Sequence, residues 1–278
     1  MPTRIAYMPL STYPEAIADR SILAAAKFAA GLGFQLEVRA FSVEIRRVYS
    51  PLGGLLLNVP GLVQAAEDKS EAECRRLRDL LEASADVRAN LHYATRQVKF
   101  GGMLEAAVAE ARNFDLSVLP WCAEAALADE MAEMLVFGSG RPALLVPPQA
   151  GPARLEHIAI GWDASRVAAR ALGDALALLP EGGHISVLTV MDEKPLSGPD
   201  IAETLASSLE RRGFKAKPHS IALGDKSISE ALQHAALGMG AQLLAMGGFG
   251  HSRMRDFVLG GATKGVLSGL ALPTLLSH

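Results

Sequence analysis

Cysteine is scarce in this chain. Only Cys74 and Cys122 occur among 278 residues, too few for a disulfide scaffold or a four-cysteine zinc site. Positive charge is not in excess either: 27 Lys and Arg stand against 30 Asp and Glu, a net charge of −3. General binding to nucleic acid or to anionic membrane needs a basic field, so both are disfavoured. Several catalytic signatures are missing. Gly224-Asp225-Lys226-Ser227 ends like a phosphate-binding Walker loop but lacks the glycine before lysine. No G-x-G-x-x-G follows an opening strand, which argues against a nicotinamide dehydrogenase, and no G-x-S-x-G elbow marks a hydrolase. The seven histidines have no paired metal-ligand spacing, so they read as surface or loop residues. Nothing pairs a nucleophile with a base. Met1-Pro2-Thr3-Arg4 leads into no long apolar core with a cleavage site, so the expected location is cytoplasmic. Residues 231–252 carry no Asp, Glu, Lys or Arg, but Gln233, His234, Gln242 and five glycines favour a helix end, a buried strand and a loop over a membrane span.

Half of the residues are apolar, enough for a sizeable core, and the chain repeats itself once. Arg4–Pro9 and His157–Trp162 are short apolar strands, each followed by an alanine-rich helix. The stripes Ala18, Ile22, Ala25, Ala26, Ala29 and Ala168, Leu172, Ala175, Leu176, Leu179 suit helices packed on a sheet. Their offset makes the first strand–helix loop three residues longer. Further strands are expected at Gln35–Val43, Leu91–Val98, Leu116–Leu119 and Ala143–Val146, and again at His184–Val190, Lys217–Leu223, Gln242–Met246 and Pro273–Leu276. Helices are expected at Met103–Asn113 and Ser229–Met239, the second opened by a Ser227/Glu230 capping box. Such alternation predicts an α/β fold: two tandem, doubly wound, parallel five-stranded sheets, Rossmann-like, over residues 1–148 and 153–278. Pro147–Pro152 is a stiff linker between them.

Between its second and third strands the first half carries Arg46–Pro60 and a charged helix near Leu62–Ala83. These read as a surface loop and a covering helix, or as a partner surface that hides Leu55-Leu56-Leu57.

In an open parallel sheet, ligands bind beyond the carboxyl ends of the strands at the switch point. In the second half that edge holds Gly161-Trp162-Asp163. Asp163 either caps the next helix or accepts a hydrogen bond from a ligand. The fourth strand runs into Met246-Gly247-Gly248-Phe249-Gly250-His251-Ser252-Arg253, and Gly260-Gly261 precedes a helix starting near Ala262. Glycines let backbone N–H groups approach an anion, and a helix N-terminus adds partial positive charge.

Gly247, Gly250 and Gly260, with nine residues between the last two, resemble the G-x2-G-x9-G-S/T nucleotide loop of the universal stress protein family. The whole second half is similar to one such domain and the first half is similar in fold only, so the chain resembles tandem universal stress proteins. The resemblance implies that the second half binds ATP, with or without Mg. Gly161, Trp162 and Asp163 would meet adenine, with Val190 adding backbone contacts. Met246, Gly247, Phe249, Gly250, His251, Ser252 and Arg253, followed by Gly260, Gly261, Ala262 and Thr263, would wrap ribose and phosphates. Gly261 stands where the family has Ser or Thr, with Thr263 two residues on. In the first half, alignment of the opening strands puts Leu10 opposite Asp163. Pro120-Trp121-Cys122-Ala123-Glu124 replaces the glycine loop, and Glu124, Asp129, Glu130 and Glu133 would repel phosphate. The first half is therefore expected to be a structural pseudo-partner. Cys122 reads as a buried small hydrophobe.

The resemblance further implies a homodimer through the last strand, or an internal pseudo-dimer in a tandem chain, with a protein partner of unknown identity. Two other readings stand beside the nucleotide-binding one. One is a ligand-free interaction module with a vestigial loop. The other is a slow ATPase depending on His251 or Arg253; a dedicated enzyme is not expected.

Overall fold

The computed structural model describes residues 3–46, 58–121, 126–151, 154–191, 198, 200–248 and 269–278. The first half runs β1 (Ile5–Ser11), α1 (Asp19–Gly31), β2 (Gln35–Glu44), α2 (Val59–Glu82), α3 (Ala85–Arg88), β3 (Leu91–Lys99), α4 (Met103–Ala111), β4 (Leu116–Pro120), α5 (Ala126–Gly138) and β5 (Ala143–Val146). The second runs β6 (His157–Gly161), α6 (Arg166–Leu176), β7 (His184–Val190), α7 (Ile201–Arg211), β8 (Lys215–Ile221), α8 (Ile228–Gly238), β9 (Leu243–Gly247) and β10 (Thr274–Ser277).

The expected α/β class with parallel strands is what the chain adopts, and the two five-strand sets join edge to edge. The order is β3-β2-β1-β4-β5-β10-β9-β6-β7-β8. Each half has the same internal order, and every pair is parallel except β5–β10, where Leu144 lies opposite Leu275. Because that pair is antiparallel, β5 ends on the side where β6 begins. The connection needs to cross only three strand spacings, roughly 14 Å, which the segment 147–156 spans easily.

Helices cover both faces. On one, Ile22, Ala25 and Ala29 of α1, Leu77 and Leu81 of α2, Leu172 of α6 and Leu209 of α7 join Leu144 and Leu275 in one apolar cluster. On the other, Ala107 of α4, Leu135 of α5 and Leu232 of α8 join Leu145 and Leu276 in a second cluster. Both apolar clusters run across the β5–β10 seam. Strands buried on both faces explain why they read as continuous apolar runs. A Cβ on Gly248 would lie 2.9 Å from Val136 of α5, so the two halves also touch closely where β9 ends.

Several expectations are refined. Ala18 is exposed at the N-cap of α1 rather than part of its buried stripe. β8 lies two residues earlier than expected, with Pro218 in it; an edge strand tolerates a residue without an N–H. α2 starts at Val59 because the Asn58 side chain accepts the Gly61 N–H and Pro60 suits a first turn. It covers β2 and β3 through Cys74, Leu77 and Leu81. The second half has its own helix in that place, α7, which the sequence reading passed over, so α2 is the longer counterpart of a shared element. Leu55-Leu56-Leu57 lies outside the described residues. The capping box of α8 is present: Ser227 Oγ accepts the Glu230 N–H at 3.3 Å, and Glu230 accepts the Ser227 N–H at 2.8 Å. The Ser227 hydroxyl, donating at 2.7 Å, and then the Ser227 N–H hold the Glu230 carboxyl below its ordinary pKa. The uncharged stretch 231–252 divides between α8 and β9, and among the described residues no helix is long and apolar enough to cross a membrane.

Candidate functional site

The crevice of an α/β sheet opens where the first and fourth strands of the order diverge into opposite connections. In the second half these are β6 and β9, paired through Ile158–Leu243, Ala159–Leu244 and Ile160–Ala245. β7 lies on the far side of β6, with Gly161 opposite Leu188. The tips of β6, β7 and β9 are therefore neighbours on one edge, and they carry Gly161, Trp162, Asp163, Val190, Met246 and Gly247.

The β6 tip is held by its own hydrogen bonds. The Trp162 N–H donates to the Leu188 carbonyl at 2.8 Å, and the Trp162 carbonyl accepts the Thr189 hydroxyl at 2.9 Å. The indole N–H donates to the Ile201 carbonyl at 3.2 Å, tying the tip to α7. Asp163 Oδ1 accepts the Ser165 N–H at 2.9 Å, closing a tight Asx turn. Inside that turn Ala164 has φ +59°, an unusual left-handed conformation for alanine. Ser165 then caps α6, accepting the Ala168 N–H at 3.2 Å. The capping duty considered for Asp163 thus falls to Ser165, while Asp163 shapes the turn that precedes the cap.

Gly247 is required by packing. A Cβ there would sit 2.6 Å from Val167 Cγ2 and 2.8 Å from the Ala168 nitrogen, so only glycine lets the first turn of α6 rest on the β9 tip. Gly161 is tight as well, with Leu232 and Met246 each 3.3 Å from where its Cβ would be. Val190 and Met246 are buried in the apolar cluster beneath the edge. Phe249, Gly250, His251, Ser252, Arg253, Gly260, Gly261, Ala262 and Thr263 lie outside the described residues, as does Cys122.

Hydrogen-bond register gives the matching tip in the first half. Asp115 donates its N–H to the Ile5 carbonyl as Gln242 does to that of His157. Ile5 pairs with Gln35 as His157 pairs with His184. Pro9, Leu10 and Ser11 thereby match Gly161, Trp162 and Asp163, and Phe41 matches Val190. On the fourth strand, Pro120 lies opposite Val146 and Gly247 opposite Ser277, and the following N–H, from Trp121 or Gly248, bonds back to that partner. The residue opposite Asp163 is thus Ser11, correcting Leu10. The first strand–helix loop, 12–18, is three residues longer than its counterpart, 162–165, as expected.

The first-half tip is chemically different. Pro9 and Pro120, without N–H groups, stand where the second half has Gly161 and Gly247. The Ser11 hydroxyl donates to the Tyr13 carbonyl at 3.0 Å, and Thr12 Oγ1 donates to the Phe41 carbonyl at 2.6 Å. Asp129 lies in the first turn of α5 with Glu130 next to it, and burial pushes the Asp129 carboxyl up. The signals the sequence reading missed are Ser165 and Thr189, both small hydroxyl residues adjoining a strand tip.

Neither a protein-family profile nor a curated protein sequence matches this chain. Solved structures do. A universal stress protein from Archaeoglobus fulgidus DSM 4304 superposes with a TM-score of 0.69 at 13% identity, covering 99% of this chain and 96% of that one. A protein from Pseudomonas aeruginosa UCBPP-PA14, provisionally named a universal stress protein, gives 0.50 at 12% identity, covering 98% of this chain and 93% of its own. At such identities the likeness establishes the fold, and it does so over the full length of both halves.

Proposed function

We propose that this chain is a tandem protein of the universal stress type that binds one adenine nucleotide, ATP with or without Mg, at the carboxyl edge of its second half. The observation that carries this reading is the contrast between the two tips. Where the second half has Gly161, Asp163 and Gly247, the first has Pro9, Ser11 and Pro120. The two prolines remove backbone N–H donors from the first tip, whereas the second keeps a full backbone and leads into the glycine-rich stretch from Gly247 to Gly261. The fold shared with the Archaeoglobus protein supports the same assignment.

In this reading the Asp163 carboxylate accepts a hydrogen bond from the base, and Val190 flanks it through the backbone. The chain from Gly247 through Gly250 to Gly260 and Thr263 wraps ribose and phosphates. Residues 1–148 form a pseudo-partner for residues 153–278, with β5–β10 taking the place of a dimer contact, so the chain is monomeric. A protein partner reads the nucleotide state, and hydrolysis is slow or absent.

Isothermal titration of nucleotide-stripped protein with ATP tests this. One site per chain is expected, and Asp163→Ala should weaken it by about 10- to 100-fold, the loss of one charged hydrogen bond. Absence of binding by the stripped wild type would sink the proposal and favour the interaction module. Sedimentation at several concentrations should give a single 29.3 kDa species.

A further inference from the structure

The crevice of the first half, on the opposite half from the proposed nucleotide site, is a cavity of about 330 Å³ between the tips of β1 and β4 and the first turns of α4 and α5. That size lies at the lower end of small-molecule pockets. Ile17, Met103, Leu119, Leu127 and Met131 give it an apolar wall, which suits a ligand with an apolar body.

Its polar groups are one-sided. Pro9 and Pro120 line it and have no N–H to offer. The Ser11 hydroxyl, also at the lining, is spent on the Tyr13 carbonyl. No lysine, arginine or histidine contributes among the described lining residues. Glu15 and Glu130 do line it, and both are exposed. Neither carboxylate has an ion-pair partner among the described residues. An anion entering here meets two negative charges and few donors. A cation with an apolar body meets two acceptors and an apolar wall.

We infer that this cavity binds a small apolar molecule carrying a protonated amine. The body packs against Met103, Leu119 and Met131, and the ammonium group faces the carboxylates of Glu15 and Glu130.

The full chain labelled with [13C-methyl]methionine provides the test, with Met103→Leu and Met131→Leu used to assign the two resonances. Hexylamine, hexanol and hexanoate are titrated in turn. The two methyl signals should shift saturably with hexylamine and more weakly with hexanol. Exposed charge pairs of this kind are worth about threefold each, so hexylamine should bind about tenfold tighter than hexanol, and hexanoate weakest. The double variant Glu15→Gln/Glu130→Gln, changed only at exposed positions, should bring hexylamine to the affinity of hexanol and leave hexanol unchanged. Methyl signals unmoved by all three probes, hexanoate binding as tightly as hexylamine, or an amine advantage that survives the double variant would each overturn the inference. So would ATP shifting the same two methyls.

Discussion

Pro9 and Pro120 occupy the strand-register positions that Gly161 and Gly247 occupy in the other half. Around them the halves agree in strand order, in register and in the face each helix covers. The frame of this fold is therefore set by buried apolar strands, and it tolerates opposite residues at the strand tips, where ligand chemistry is decided. One half closes its edge against donors, and the other lets a helix rest on it.

The seam is where this comparison breaks most visibly. Leu144 and Leu275 face each other there, both fully buried in one cluster. Leu275→Ala should cost about 2–5 kcal/mol, and in urea both halves should unfold in one transition; two separate midpoints would mean that the halves are independent cores. At the tips, Gly247→Ala forces a methyl group into α6 and should cost about 1–3 kcal/mol. Pro120→Ala, at the matching place, should change stability by no more than about 1 kcal/mol. Equal losses in a denaturant titration would remove the contrast.

A smaller difference separates the matched helices α4 and α8. α4 starts from Gly102 with no side-chain cap, and α8 from the Ser227 capping box. Ser227→Ala should cost about 1 kcal/mol and Ser227→Gly only a few tenths, measurable as a midpoint shift.

The smallest effect depends on pH. His157 stands where the first half has Ile5. Burial, then the nearby His184 and His219, hold its pKa below the ordinary histidine value, although the Gly240 backbone acts the other way. The unfolded chain then binds a proton that the folded chain refuses. Stability should fall as pH drops below the ordinary histidine range, down to the folded pKa. His157→Gln should flatten that slope, and an unchanged slope would place the titration elsewhere.

Much of the fold was legible because strands buried on both faces announce themselves: β5, β7 and the body of β2 lie where their apolar runs lie. α7 was not, because its buried stripe of Ala202, Leu205, Ala206 and Leu209 is half alanine and contrasts little with its surroundings. The register of β1 escaped by one residue, since the polar Ser11 at its end is paired to Phe41 by backbone bonds that apolar patterning cannot report. At the candidate site, the positions of Asp163 and Gly247 at strand tips were readable. Their local duties were not: one accepts the Ser165 N–H, and the other makes room for α6. The second depends on α6 returning across the sheet, a contact that spacing along the chain does not encode.

The antiparallel seam has a further consequence. In an assembly of two identical chains, any residue placed at one crevice is placed at both, and dilution can separate them. Here the two copies are joined in one polypeptide, so their association is unimolecular, with an effective concentration set by a short tether. Inheritance of the two tips is uncoupled. The seam also turns the halves head to tail, so the donor-poor crevice and the glycine-tipped one open at opposite ends of a single sheet. Any ligands of the two crevices would then bind without meeting.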